Sequence, residues 1–219
     1  MKGVRSWAEA RRRWLYFSPQ PWVPIRANSE EGQQVLCALR AATNYAYANR
    51  VAVLAVLRDV MREVWGEDLP APVLLWDSAH NSIRCEQVNG RELWVHRHNA
   101  VRIVPPRWMS GSAPFADIGQ PVLMPGTCQT SSYLCVAGEG AESTLCSVNH
   151  GAGWTAQRLA ITYDGGITRF YTYTGRLEFL LSHYSDDGPQ AVVQALQNHA
   201  IARPVIRLRP LAVLKGSKP

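Results

Sequence analysis

Lysine is almost absent. It stands only at positions 2, 215 and 218, and arginine supplies the rest of the positive charge. A formal net charge of +6 therefore rests on guanidinium groups, with an isoelectric point near 9.3. Arginine holds phosphate through a rigid two-pronged fork, so this balance allows a nucleic-acid partner without requiring one. Cysteine is sparse: Cys37, Cys85, Cys128, Cys135 and Cys146 are odd in number and form no C-x-x-C. No disulfide framework or structural zinc pattern emerges, which favours a reducing compartment, expected to be the cytoplasm. Most of these thiols read as small buried hydrophobes. Long apolar runs are missing too; Val51–Leu57 is too short for a membrane span. The opening MKGVRSWAEARRRWLYF has no apolar signal core, so no secretory peptide is expected, and Glu9 with Arg11, Arg12 and Arg13 argues against an organelle presequence. No internal repeat or low-complexity tract occurs.

What remains is the composition of a globular chain: 219 residues, 47% hydrophobic and 18% charged, enough for one domain or two small ones. Residues 1–15 read as a basic helix and SPQPWVPIRAN, 18–28, as an extended connector with three prolines. Val35, Leu36, Leu39, Ala42, Tyr45, Ala46, Val53, Leu54 and Leu57 recur at helical spacing, predicting a helix over 31–64. A short helix is expected near 73–84. Gln87–His96 reads as a hairpin turning at Asn89-Gly90. Strands are expected at 118–124 and 130–137 around a Pro125-Gly126 turn, with further β structure across 157–180. A helix is expected from Pro189 to Asn198, then a final strand over 204–215. Helices and strands mix without a βαβ repeat, so the expected class is α+β, with antiparallel and mixed sheets.

One histidine stands directly before Gly-Ala-Gly in Ser147-Val-Asn-His-Gly-Ala-Gly-Trp154. Glycines leave backbone N–H groups free and let the backbone approach a ligand closely. That suits a histidine that reaches a phosphate. It also suits a plain glycine-rich turn carrying an incidental histidine.

Five further stretches change the weight of this one. In chain order they are Ala41-Ala-Thr-Asn-Tyr-Ala-Tyr-Ala-Asn-Arg50, Ala79-His-Asn81, Leu93-Trp-Val-His-Arg97, Gly119–Leu134 and Leu208–Gly216. Together they resemble the RtcB family of RNA ligases, the tRNA-splicing ligases, over roughly 23–156 and 204–216. The likeness is thin over 157–203 and absent before about 23. It divides the chain into a basic arm, 1–22, and an RtcB-like carboxyl-terminal portion, 23–219. The resemblance implies that RNA ends, from tRNA-like or broken RNA, are joined 3′-phosphate or 2′,3′-cyclic phosphate to 5′-hydroxyl, using GTP and Mn2+. It makes His150 the nucleophile that takes GMP. A neutral imidazole nitrogen keeps a lone pair near neutral pH and attacks without a separate strong base. It makes His80 a metal ligand, although histidine suits several divalent ions. It assigns nucleotide or phosphate contacts to Gly126, Thr127, Thr130, Ser132, Gly151, Gly153 and Lys215. Asn44, Asn49 and Arg50 are turned toward the site from the helix, with Arg50 and Arg97 meeting RNA or phosphate. Each has a plainer alternative: a helix-capping histidine, an ordinary turn, a solvated lysine, a polar helix face, a surface salt bridge.

The pattern also breaks. The family is longer, and its N-terminal half supplies an aspartate, a cysteine and two histidines as metal ligands. No Asp-x-Gly-x-Gly-Cys, no Gly-Asn-His-Phe and no histidine before His80 occurs here. His98-Asn99 replaces a lysine–glycine pair, Gln129 a glycine and Trp154 an arginine. Asp186–Val193 lacks the tyrosine and lysine of an acidic-Pro-x-Ala-Tyr-Lys segment. The leading expectation is a divergent RNA ligase portion, weak or inactive alone. The others are a non-catalytic nucleotide- or RNA-binding remnant, and one half of a split ligase completed by a second chain that brings the missing ligands.

Overall fold

The computed structural model describes residues 25–67, 70–88, 90–109, 111, 114–127, 130–150, 163–164, 169–172, 175–177, 183–184 and 187–215. The expected basic arm, the expected 22/23 boundary, Gly151 and Gly153 lie outside them. The chain forms two compact units that divide between Asp77 and Ser78.

The described part of the first unit is dominated by one helix, α1, Glu30–Trp65. Ser29 opens it from extended backbone, and its hydroxyl accepts the Gly32 N–H at 3.1 Å. Glu30 and Glu31 then meet the positive end of the helix dipole. Gly66 closes it at φ 77°, its N–H donating to the Arg62 carbonyl. Only Gly32 and Leu36 of this helix are buried. Val51, Val53, Val56, Leu57, Val60, Val64 and Trp65 are each 47–63% exposed, so the apolar periodicity that marks the helix is left open. No helix among the described residues is long and apolar enough to cross a membrane.

The second unit carries the sheets. Strands β1 (Asn81–Val88) and β2 (Arg91–His98) form an antiparallel hairpin in which Val88 faces Arg91. That register leaves a two-residue turn, and Gly90 adopts φ 73° there. β3 (Ala100–Arg102) follows at once; β4 (Pro121–Met124) and β5 (Ser132–Ala137) come next, then β6 (Ser147–Asn149). Short strands β7 (Tyr163–Asp164), β8 (Arg169–Thr172), β9 (Gly175–Leu177) and β10 (His183–Tyr184) precede helix α2 (Asp187–Asn198). β11 (Ala202–Leu208) and β12 (Ala212–Lys215) close the order. The sheets are β1-β2, β3-β6, β10-β7, β11-β5-β4 and β12-β8-β9. All pair antiparallel except β12 with β8. The class is α+β.

Two expectations change. Residues 70–79 form no helix; they run without regular structure until β1 starts at Asn81. Pro70 and Pro72 stand at the head of that segment, and proline lacks a donor and bars the helical region to its predecessor. The single final strand is two, broken at Arg209-Pro210, because its halves answer to different partners: β11 to β5 and β12 to β8.

The core gathers residues that alternate along β3, β4 and β5. Val101, Ile103, Val122, Met124, Tyr133, Cys135 and Val148 pack with Val193, Ile201 and Ala202 from α2 and β11. Ile103 is fully buried. Truncation to alanine at a closed site of this kind costs about 2–5 kcal/mol. Ile103→Ala is expected to lower the unfolding free energy by that amount, read as a lower urea midpoint with its slope unchanged; an unchanged midpoint would place the core elsewhere.

Candidate functional site

Two histidines far apart in sequence meet at one corner of the second unit. His80 sits immediately before β1 and His150 immediately after β6. The chain turns between β2 and β3 at Asn99, which adopts φ 50°, a left-handed conformation that asparagine tolerates better than most residues. Asn99 also stands where the resemblance implies a glycine. Its carbonyl accepts the His150 N–H at 2.7 Å, and the next residue, Ala100, donates to the His80 carbonyl at 3.1 Å. The Asn99 N–H donates to Asn81 Oδ1 at 3.0 Å. One turn therefore holds both backbones. The imidazoles stack, with centroids 4.8 Å apart and planes 20° from parallel.

The two rings differ in surroundings. His80 is exposed and His150 half-buried. Burial holds His150 below its ordinary pKa of 6.5; the neighbouring His80 pushes the same way, against a backbone hydrogen bond with Leu123. The neutral form is favoured, and the His150 Nδ1 is buried without a hydrogen-bond partner. An unshared, desolvated nitrogen is what a nucleophile or metal ligand needs.

Arg97 fixes the strand that delivers His150. It is one residue off the corner, and its side chain is 1% exposed. Nη1 and Nη2 donate to the two Glu86 oxygens at 2.6 and 2.9 Å. Nε donates to Ser147 Oγ at 2.9 Å, and Nη2 also reaches the Leu145 carbonyl at 2.9 Å. Leu145 and Cys146 lie at φ 53° and 50°, an unusual consecutive pair without glycine. The structure thus places Arg97, expected at a phosphate, inside the protein with its fork on Glu86. Arg102 adds a second cation 3.3 Å from the same carboxylate.

The Gly126–Ser132 loop is closed by its own hydroxyls. Gly126 N–H donates to Ser132 Oγ at 2.9 Å, and Thr127 N–H to Thr130 Oγ1 at 2.7 Å. Thr130 and Ser131 are buried. A side chain on Gly126 would collide with the Ser131 carbonyl oxygen, so glycine is required there by close approach. These N–H groups are therefore occupied within the loop.

In the first unit, Arg50 donates through Nε to Asp77 Oδ1 at 2.7 Å and lies 4.9 Å over the Tyr47 ring. Its Nη2 is buried without a partner. Asn44 and Asn49 are exposed on α1. Lys215 ends β12, paired in register with Thr172.

Among the described residues, no three His, Cys, Asp or Glu side chains are grouped to hold a metal ion. The histidine pair matches manganese or another divalent ion in donor type. It does not match in number, since such ions take several ligands. The described residues do not by themselves fit a manganese pair. Sequence reasoning missed Asn81, Asn99, Glu86 and Ser147. Asn81 and Ser147 stood within the sequence motifs without a role, Asn99 stood in place of a glycine, and Glu86 gave no signal.

Burial by itself raises Glu86, but the hydrogen bond and charge of Arg97, with Arg102, outweigh it and hold the carboxyl below its ordinary 4.5. Its stabilising contribution is complete above pH 4.5 and is lost as pH falls through the lowered value. Arg97→Ala leaves the carboxylate with only Arg102, at 3.3 Å, and is expected to cost about 3 kcal/mol, the low end for breaking a buried pair. The variant should also lose the acid-side part of the stability profile due to Glu86. Equal stability of variant and parent in urea at pH 7 would contradict this.

The family described as tRNA-splicing ligase RtcB matches residues 7–216. The tRNA-splicing ligase RtcB of Pyrococcus horikoshii is 33% identical over 90% of this chain and 25% of its own length. That of Thermococcus kodakarensis is 34% identical over 90% of this chain and 45% of its own. The RNA-splicing ligase RtcB of Mycobacterium tuberculosis is 35% identical over 89% of this chain and 47% of its own. The chain thus spans less than half the length of each of these relatives. With the match running almost from end to end of this sequence, the chain belongs to the RtcB family.

Proposed function

We propose that this chain is the carboxyl-terminal portion of an RNA ligase that joins an RNA 3′-phosphate or 2′,3′-cyclic phosphate to a 5′-hydroxyl through GMP carried on His150. The observation that carries the reading is the half-buried His150 ring, stacked on His80, with Nδ1 unpartnered. His150 attacks the α-phosphorus of GTP: a nitrogen–phosphorus bond forms and the bond to pyrophosphate breaks. Burial keeps the imidazole neutral and its lone pair free. Asn99 aims it, and Arg97 holds the strand behind it. Gly126, Thr127, Thr130, Ser132, Gly151, Gly153, Asn49 and Lys215 are assigned to the nucleotide, Arg50 to RNA phosphate, and His80 to the metal. For Arg50 the support is its unpartnered Nη2. For Arg97 the support favours positioning over direct phosphate contact. The setting is the cytoplasm.

A second reading is favoured by a specific observation. The described residues offer only two imidazoles to a metal, and the sequence lacks the aspartate, cysteine and further histidine motifs. In this reading a second chain supplies them. Each lost stabiliser of transition-state charge typically costs ~10²–10³ in rate, so several losses together silence the isolated chain.

Incubation with α-labelled GTP and Mn2+ tests both. The chain alone is expected to carry no detectable label. Addition of a chain with the Asp-x-Gly-x-Gly-Cys and Gly-Asn-His-Phe motifs is expected to give an acid-labile label that His150→Ala abolishes. Ready labelling of the isolated chain would show that it holds the metal unaided. Absence of label in the complemented mixture, with both chains folded and associated, would overturn the ligase reading.

A further inference from the structure

The outer face of the β1-β2 hairpin carries residues that the ligase chemistry does not use. The register places Asn81 opposite His98, Ile83 opposite His96 and Cys85 opposite Trp94. Cross-strand partners share a face, so His98, His96 and Trp94 form one file along β2. All three are exposed, Trp94 at 39%. The opposite face holds Ser82, Val95 and Arg97, which are buried. The hairpin therefore has a covered face and an open one, and the open one bears every large ring of β2. A strand that needed only solubility would place charged or hydroxyl side chains there.

We propose that this file is a stacking track for the bases of a single-stranded RNA end. The choice of RNA rests on the ligase reading above; the stacking surface rests on the hairpin. The spacing fits. Residues two apart on a strand stand about 6.6–6.8 Å apart, roughly two of the ~3.4 Å steps between stacked bases. A base inserts between neighbouring rings and leaves its sugar and phosphate outside. The net charge of +6 suits a polyanion, although Arg84 and Arg91, paired with Val95 and Val88, belong to the hairpin's other face. The direction fits best. His98 adjoins Asn99, whose carbonyl holds the His150 backbone, and Asn81 adjoins His80. The file runs from the turn at Gly90 to the histidine corner, so a strand lying on it ends at the reactive imidazole. Indole and imidazole stack on any base, so the track reads single-strandedness rather than sequence.

The test is binding of a fluorescent single-stranded oligouridylate and of a blunt RNA duplex to the full chain, by anisotropy, without GTP or metal. The expected result is preference for the single strand, a loss of about tenfold in affinity for Trp94→Ala, and substantial retention in Trp94→Phe. His96→Ala should weaken binding in the same sense. Val205→Ala, an exposed apolar truncation on β11, in a different sheet, serves as control and should bind as the parent does. Equal binding by Trp94→Ala and parent, loss of binding in Trp94→Phe equal to that in Trp94→Ala, or no preference for single strand over duplex would each overturn the proposal. Because no GTP is present, failure of His150 to take label is a separate result that bears on the ligase reading and leaves this one standing.

Discussion

The buried pair of Arg97 and Glu86 is the contact on which the site depends. A guanidinium at 1% exposure is tolerable only because its donors reach a carboxylate, a hydroxyl and backbone carbonyls together. Those acceptors come from β1, from the bend at Leu145 and from the first residue of β6. The hairpin and the strand before His150 are thereby locked to each other. Without that lock, the two-residue contact at Asn99 would have to position both histidines against the mobility of three short strands.

The division of labour is physical. Arg97 supplies rigidity a step behind the corner; Asn99 supplies the turn; His150 supplies the nitrogen. A close-packed layer of Ile103, Met124, Cys135 and Val148 stands behind them, and burial raises the Cys135 thiol to about 11, leaving it a packing group rather than a reactive one. The proposed manganese chemistry calls for more ligands than the described residues supply. In the proposed reading the described residues form one wall of a reaction chamber, the one that carries His150.

What was legible in the sequence was local. The helical period from Val35 to Leu57 marked α1, expected over 31–64 and found over Glu30–Trp65, and Asn89-Gly90 marked the hairpin, because apolar periods and two-residue turns depend on neighbours only. The site histidines were legible through short motifs. Their meeting was not, since it depends on the pairing of Asn81 with His98 and of Ala100 with Asn149. Arg97 is hard to read for the same reason: an arginine beside a histidine looks free, and the ion pair with Glu86 comes from a side-chain reach along the shared face, since the register sets Ser82 opposite Arg97. The helix expected near 73–84 failed where apolar content without helical spacing met two prolines and the demand of β2 for a partner.

The account stands on one claim, that His80 and His150 form a single site in which His80 bears on the His150 ring. Imidazole NMR of the full chain, in the parent and in His80→Asn, measures it directly. Burial comes first in holding His150 below its ordinary value, and His80 adds to it. The titration midpoint of His150 is therefore expected to stay depressed in the variant but to move upward from the parent's. An identical midpoint in the two proteins would contradict the stacked pair and, with it, the shared corner on which the proposed function rests.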